Sequence, residues 1–241
     1  MPLTHARPNL ALYLAGILIL AMLAYGPIPQ LVNYHQFADQ RIVLGLPHGG
    51  DVLSNFAFLA AAAYGAFRMR SASRVHPAQA LFVAALALTA AGSTWYHLAP
   101  DNVRLVWDRL PIALACAALL AAAIEEAYPR LLVVLAALVL FGLFSVWWWA
   151  ATGDLRPYLL IQLTPLVLIP LLQWQSRAPI AQRTAFVMAI ILYVVAKMCE
   201  LADLPIYEAF GALSGHTLKH LMAALAAIIL VCYFSVPGRA R

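Results

Sequence analysis

The stretch LLVVLAALVLFGLFSVWWWA, Leu131–Ala150, carries no ionisable side chain. Wound as an α-helix at 1.5 Å per residue it is about 30 Å long, the thickness of a bilayer's hydrocarbon core. A helix apolar on every side has no water-facing surface, so its natural solvent is lipid. Working outward, comparable runs recur at Leu10–Tyr25, Val52–Phe67, Ala78–Leu98, Val106–Ile124, Tyr158–Trp174, Ala185–Leu201 and Thr217–Phe234, which makes eight candidate spans. Composition agrees: 64% of the 241 residues are hydrophobic and 10% charged, with a mean hydropathy of +0.84. A soluble domain carries about 25% charged residues. The expected fold class is all-α, a polytopic membrane protein.

Breaks between the runs are rich in Pro, Gly and charge, as in Gly26-Pro27-Ile28-Pro29 and Pro100-Asp101-Asn102. They read as loops outside the hydrocarbon, where water satisfies irregular backbone. Pro111, Pro165 and Pro170 fall inside spans and are expected to kink them. The first span follows His5 and Arg7, a lead that also suits a signal peptide, but no small-x-small cleavage site follows, so it is read as a retained helix. With a cytoplasmic amino terminus, nine arginines (Arg7, Arg68, Arg70, Arg74, Arg130, Arg177, Arg183, Arg239, Arg241) fall inside and four (Arg41, Arg104, Arg109, Arg156) outside. That bias places both termini in the cytoplasm. Trp147, Trp148 and Trp149 then lie at the outer end of their span, as an interfacial anchor or as packing. The net charge of +5 comes from scattered residues rather than a basic block, which argues against nucleic-acid binding. Cys116, Cys199 and Cys232 sit in apolar runs without CxxC spacing and read as packing residues.

Polar side chains inside spans are expensive, so each needs an account. His216 and His220 in Ser214-Gly215-His216-Thr217-Leu218-Lys219-His220 stand one helical turn apart on one face, the spacing of metal ligands and equally of two structural histidines. Ser93 and His97 repeat that geometry. Asp108 follows beyond the Pro100-Asp101-Asn102 turn, and by itself suits an ion pair with Arg109 or Arg104. Alternating spans put His97, Asp108, His216 and His220 at one membrane face. Three imidazoles plus water are a catalytic zinc set, and a nearby carboxylate serves proton transfer. Glu200 and Lys197 read as an i,i+3 ion pair ahead of a support behind the site, and Lys219 as a residue snorkelling outward. His48, Asp51, Ser54 and Asn55 read as shaping the mouth or bonding between helices, with Asn and Ser in a span more often interhelical glue.

Taken together, Ser93-x-x-x-His97, Asp108-Arg109-Leu110-Pro111, His216-x-x-x-His220 and Asp51-Val52-Leu53-Ser54-Asn55 resemble the alkaline ceramidase family. That family belongs to a wider group of seven-helix intramembrane hydrolases that includes the adiponectin-receptor type. The likeness runs from about His35 to Leu230 and keeps the motifs' order and helix placement. It implies a seven-helix hydrolase domain over residues 27–241 with an additional helix over 1–26. It also implies zinc on His97, His216 and His220, acid-base work by Asp108 and oxyanion support by Ser93. The acidic cluster that binds calcium in eukaryotic members is not matched: Asp39 and Asp51 are the carboxylates before the third span, and His48 stands where an acid is expected, so calcium is not assigned. The implied activity is hydrolysis of the N-acyl bond of ceramide-like lipids. Two alternatives are a lipid sensor of the adiponectin-receptor type, for which the termini are short, and a non-catalytic metal-binding transporter, which would spread its polar residues through mid-membrane.

Overall fold

The computed structural model describes residues 8–71, 75–128 and 132–234. The helices are α1 Pro8–Tyr25, α2 Gly49–Ser54, α3 Phe56–Arg70, α4 Pro77–Leu98, α5 Asn102–Ala127, α6 Leu132–Thr152, α7 Arg156–Gln175, α8 Ile180–Leu201, α9 Asp203–Phe210 and α10 Gly215–Phe234. Among the described residues, α2 with α3, α4, α5, α6, α7, α8 and α10 form seven spans long and apolar enough to cross a membrane, and Leu10–Tyr25 in α1 is a shorter apolar helix. The expected all-α membrane fold, with seven spanning helices and a further one at the amino end, is what the chain adopts. Of the arginines that set the expected orientation, Arg7, Arg74, Arg130, Arg239 and Arg241 lie outside the described residues.

Small side chains let the helices approach closely, as packing in lipid requires. Along α5, Ala113, Ala117, Ala118, Ala121 and Ala122 are buried, and this helix packs against α4, α6 and α7. The closest approach has a readable cause. Pro111 has no N–H to give to the carbonyl of Trp107, one turn earlier. Gly92 of α4 sits against that same carbonyl: a Cβ on Gly92 would lie 2.0 Å from Trp107 O. This contact sets α4 beside α5 at the level of Ser93 and Asp108. Continuous helix runs through Pro111, Pro165 and Pro170.

One helix escapes the sequence reading. Residues 203–210 form α9, with Asp203 in its first turn, where a carboxylate suits the helix dipole, and Gly211 at φ 67° ending it. At only 8 residues, α9 is too short to register as a span.

Residues 26–48 fold over one end of the bundle. Ile28 N donates to Asp154 Oδ1 (3.1 Å), Gln30 Nε2 to Asn102 Oδ1 (3.1 Å) and Ala38 N to Asp203 Oδ2 (2.9 Å). The loop thus ties down the α6–α7, α4–α5 and α8–α9 junctions, and beneath it lie the polar residues.

Candidate metal centre

His97 ends α4, and His216 and His220 lie on the first turns of α10. Their relative exposures are 1%, 6% and 3%. One ligand atom from each lies within 4.8 Å of the others. Ring centroids are 4.7 Å apart for His97–His216, 5.1 Å for His97–His220 and 4.8 Å for His216–His220. Three imidazoles from two helices converging in a buried space can hold a metal ion.

The ring of His220 is oriented by a break in the helix that opposes it. At Asn55 the backbone N–H turns to Val52 O (3.3 Å), which releases the carbonyl of Asp51 from the helical ladder. That carbonyl instead accepts from Ser54 Oγ (2.9 Å), Asn55 Nδ2 (2.9 Å) and His220 Nδ1 (3.2 Å). Since a carbonyl only accepts, the proton sits on Nδ1 and leaves the Nε2 lone pair for a metal. Ser54 Oγ lies 2.8 Å from the same Nδ1. Ser54 and Asn55, expected as interhelical glue, therefore work on a ligand candidate. The Asp51 side chain ties α2 to α10: its Oδ1 accepts from Ser214 Oγ and Thr217 Oγ1, both at 2.7 Å.

His216 is held from two sides. Its backbone N–H donates to Asp203 Oδ1 (2.8 Å), which caps the start of α10. Its Nε2 lies 3.1 Å from Lys219 Nζ. Lys219 does not snorkel outward as expected: it pairs with Glu200 Oε1 (2.7 Å), whose Oε2 holds Lys197 (2.7 Å). The expected Lys197–Glu200 pair is present, and Lys219 extends it to the histidines. The i,i+3 spacing from His216 to Lys219 was the legible sign of this contact.

Asp108 does not make the surface ion pair that its neighbours offered. It is 9% exposed. Arg104 pairs with Asp101, and Arg109 lies among aromatic rings. The carboxylate instead lies beside Ser93 and within electrostatic reach of Lys219. The Ser93 hydroxyl is buried and closes no hydrogen bond of good geometry, and His97 Nδ1 is likewise buried without a partner among the described residues. Both are buried polar atoms without a hydrogen-bond partner among the described residues.

Phe37 roofs the cluster, a residue that no pattern in the sequence singles out. Its ring centroid is 4.6 Å from those of both His97 and His216. Of the three tryptophans, Trp147 is exposed, Trp148 Nε1 donates to Asp154 Oδ2 (3.2 Å), and Trp149 is buried against Arg109.

Three aspartate–arginine clasps rim this end: Asp39–Arg41 (2.7 Å), Asp154–Arg156 (2.8 Å) and Asp101–Arg104. Burial alone would raise the Asp39 and Asp154 carboxyls, but hydrogen bonds from the paired guanidinium and nearby backbone amides outweigh it and hold both below the ordinary value. Asp101 is lowered chiefly by the backbone N–H of Arg104. Asp39 Oδ2 also accepts from Gly50 N (2.8 Å), and Arg41 Nη2 donates to Ala212 O (2.6 Å). Asp39 therefore serves to fasten the covering loop to α2 and to the α9–α10 turn.

No protein-family profile matches the chain, and no curated protein matches it significantly.

Proposed function

We propose that this protein is an intramembrane zinc-dependent amidase that hydrolyses the N-acyl bond of ceramide-like lipids to a fatty acid and a long-chain amine. The observation that carries the reading is the convergence of His97, His216 and His220 in a buried space, at the helix end where Asp108 lies beside Ser93. The donor set suits zinc: three nitrogens, one of them oriented through Nδ1 by a backbone carbonyl. The resemblance to alkaline ceramidases supplies the substrate class and the role of Ser93.

A bound zinc supplies Lewis acidity and makes water a nucleophile near neutral pH. The chain's own residues do the rest. An Asp108 carboxylate oxygen takes the proton of the attacking water and returns it to the nitrogen as the C–N bond breaks, so one water and one amide give one acid and one amine. The Ser93 hydroxyl donates to the oxygen that becomes negative at the acyl carbon. Phe37 and the apolar helix walls exclude bulk water, and an acyl chain enters from the bilayer. In this reading both termini face the cytoplasm and the metal centre faces outward.

The test is metal analysis of purified protein together with fatty-acid release from a panel of N-acyl lipids. The expected result is about one zinc per chain and release from at least one amide. A metal-free protein that releases no fatty acid from any of them would end this reading.

A further inference from the structure

Arg109 follows Asp108 in α5 and is 2% exposed. Its guanidinium carbon lies 3.9 Å from the ring centroid of Trp149, 5.0 Å from that of Tyr34 and 5.2 Å from that of Tyr158. These rings stabilise the positive charge through their π-faces. They do not answer its N–H groups at Nε and Nη1, which are buried and donate to no acceptor among the described residues. Arg41, Arg104 and Arg156 each close on an aspartate, whereas Arg109 closes on none among the described residues. Burying charged donors without acceptors is costly, and packing alone would be served equally well by an apolar side chain. The cage also adjoins the metal centre. Trp149 packs in one cluster with Phe37 and Tyr96, against which Tyr34 rests, and Phe37 and Tyr96 both touch the His97 ring.

We propose that Arg109 is an anion-recognition residue that receives a carboxylate carried by the lipid. The carboxylate belongs either to the amine portion of an N-acyl amino acid substrate or to the fatty acid released. A guanidinium with unpaired N–H groups beside aromatic rings can bind a carboxylate through directional, paired hydrogen bonds. The aromatic cage holds the side chain ready and lowers the ordering cost of binding. The inference takes its lipid from the amidase reading, but its test needs no turnover.

Binding is measured by calorimetry on zinc-loaded protein in neutral detergent, with palmitate against hexadecanol and N-palmitoylglycine against N-palmitoylethanolamine. The expected preference for the acid in at least one pair is about tenfold or more. A preference within the first pair assigns the site to the product, and within the second to the substrate. In Arg109→Met the preference disappears while zinc stoichiometry reports an intact fold, and Arg109→Lys, which keeps the charge without the planar fork, keeps only part of it. Equal affinity of the parent protein for acid and neutral ligand in both pairs overturns the proposal whether or not Arg109→Met folds. That outcome leaves the amidase reading standing, and an absence of fatty-acid release from amides leaves the acid preference standing.

Discussion

His220 shows how a side chain becomes a ligand candidate through the backbone opposite it. The Asn55 interruption frees one carbonyl, and that carbonyl fixes one proton. Removing the ring removes the donor, so His220→Ala is expected to abolish stoichiometric zinc, read by metal analysis, and full occupancy in that variant would refute the ligand set. Ser54→Ala leaves the ring but strips one of its two orienting partners. Zinc affinity should then fall about 10- to 100-fold without being lost, since orienting partners commonly contribute that much. Asp108→Asn keeps the shape and loses the proton acceptor. Zinc should remain while fatty-acid release drops by about 10²–10⁴-fold, and parental turnover would return Asp108 to a structural role. These residues were legible in the sequence because histidines and carboxylates in apolar runs stand out. Phe37 was not, because one phenylalanine among many carries no local mark and its position over the rings depends on the loop's return path.

At the level of elements, the bundle depends on backbone contact at a few places. A Cβ at Gly92 would meet the carbonyl of Trp107, which cannot rotate away as a side-chain tip could. Gly92→Ala must therefore part α4 from α5, at a cost of about 1–3 kcal/mol, and separate Ser93 from Asp108. A lowered Tm with reduced fatty-acid release is the expected outcome. Gly16→Ala is the control, since nothing lies within 4 Å of its added methyl, and equal effects of the two would dismiss the contact as a cause. The clasps give a pH dependence with a defined sign. Asp39 is lowered in the folded state, so its contribution is fully present above the ordinary carboxylate value of about 3.9 and is lost as pH falls through the lower folded value. Scans of Tm between neutral pH and pH 3 should show the parent losing more stability on the acid side than Asp39→Asn. Parallel curves would mean that the clasp contributes nothing. The spans were readable because their length and apolarity are local properties. The short helix α9 was hidden because its 8 residues are held by contacts distant in sequence, such as Asp203 with Ala38 and His216.

For the whole molecule, the two ends of the bundle differ in kind. One end carries the loop of residues 26–48, the clasps and the histidines. At the other end stand Arg68, Arg70, Arg177 and Arg183, while Arg41, Arg104, Arg109 and Arg156 stand at the roofed end. In the proposed amidase reading an apolar substrate arrives through the bilayer and its amide reaches the roofed end. The arginine count of the whole sequence, nine against four, is the ground for expecting that end to face away from the cytoplasm. Sidedness is open to direct measurement by thiol labelling in a background with Cys116, Cys199 and Cys232 replaced. Gly215 is a poor probe position because an added Cβ would lie 2.0 Å from Cys199 O, and Asp101 is engaged with Arg104. Val32 in the roof loop and Ser71 after α3 are exposed and suit the purpose better. In intact cells, Val32→Cys should react with an impermeant maleimide, and Ser71→Cys should react only after the membrane is opened. An impermeant chelator should likewise lower fatty-acid release without entering the cell. The reverse labelling pattern would turn the molecule over, with the metal centre drawing its water from the cytoplasm and the arginine count outweighed by another determinant of insertion.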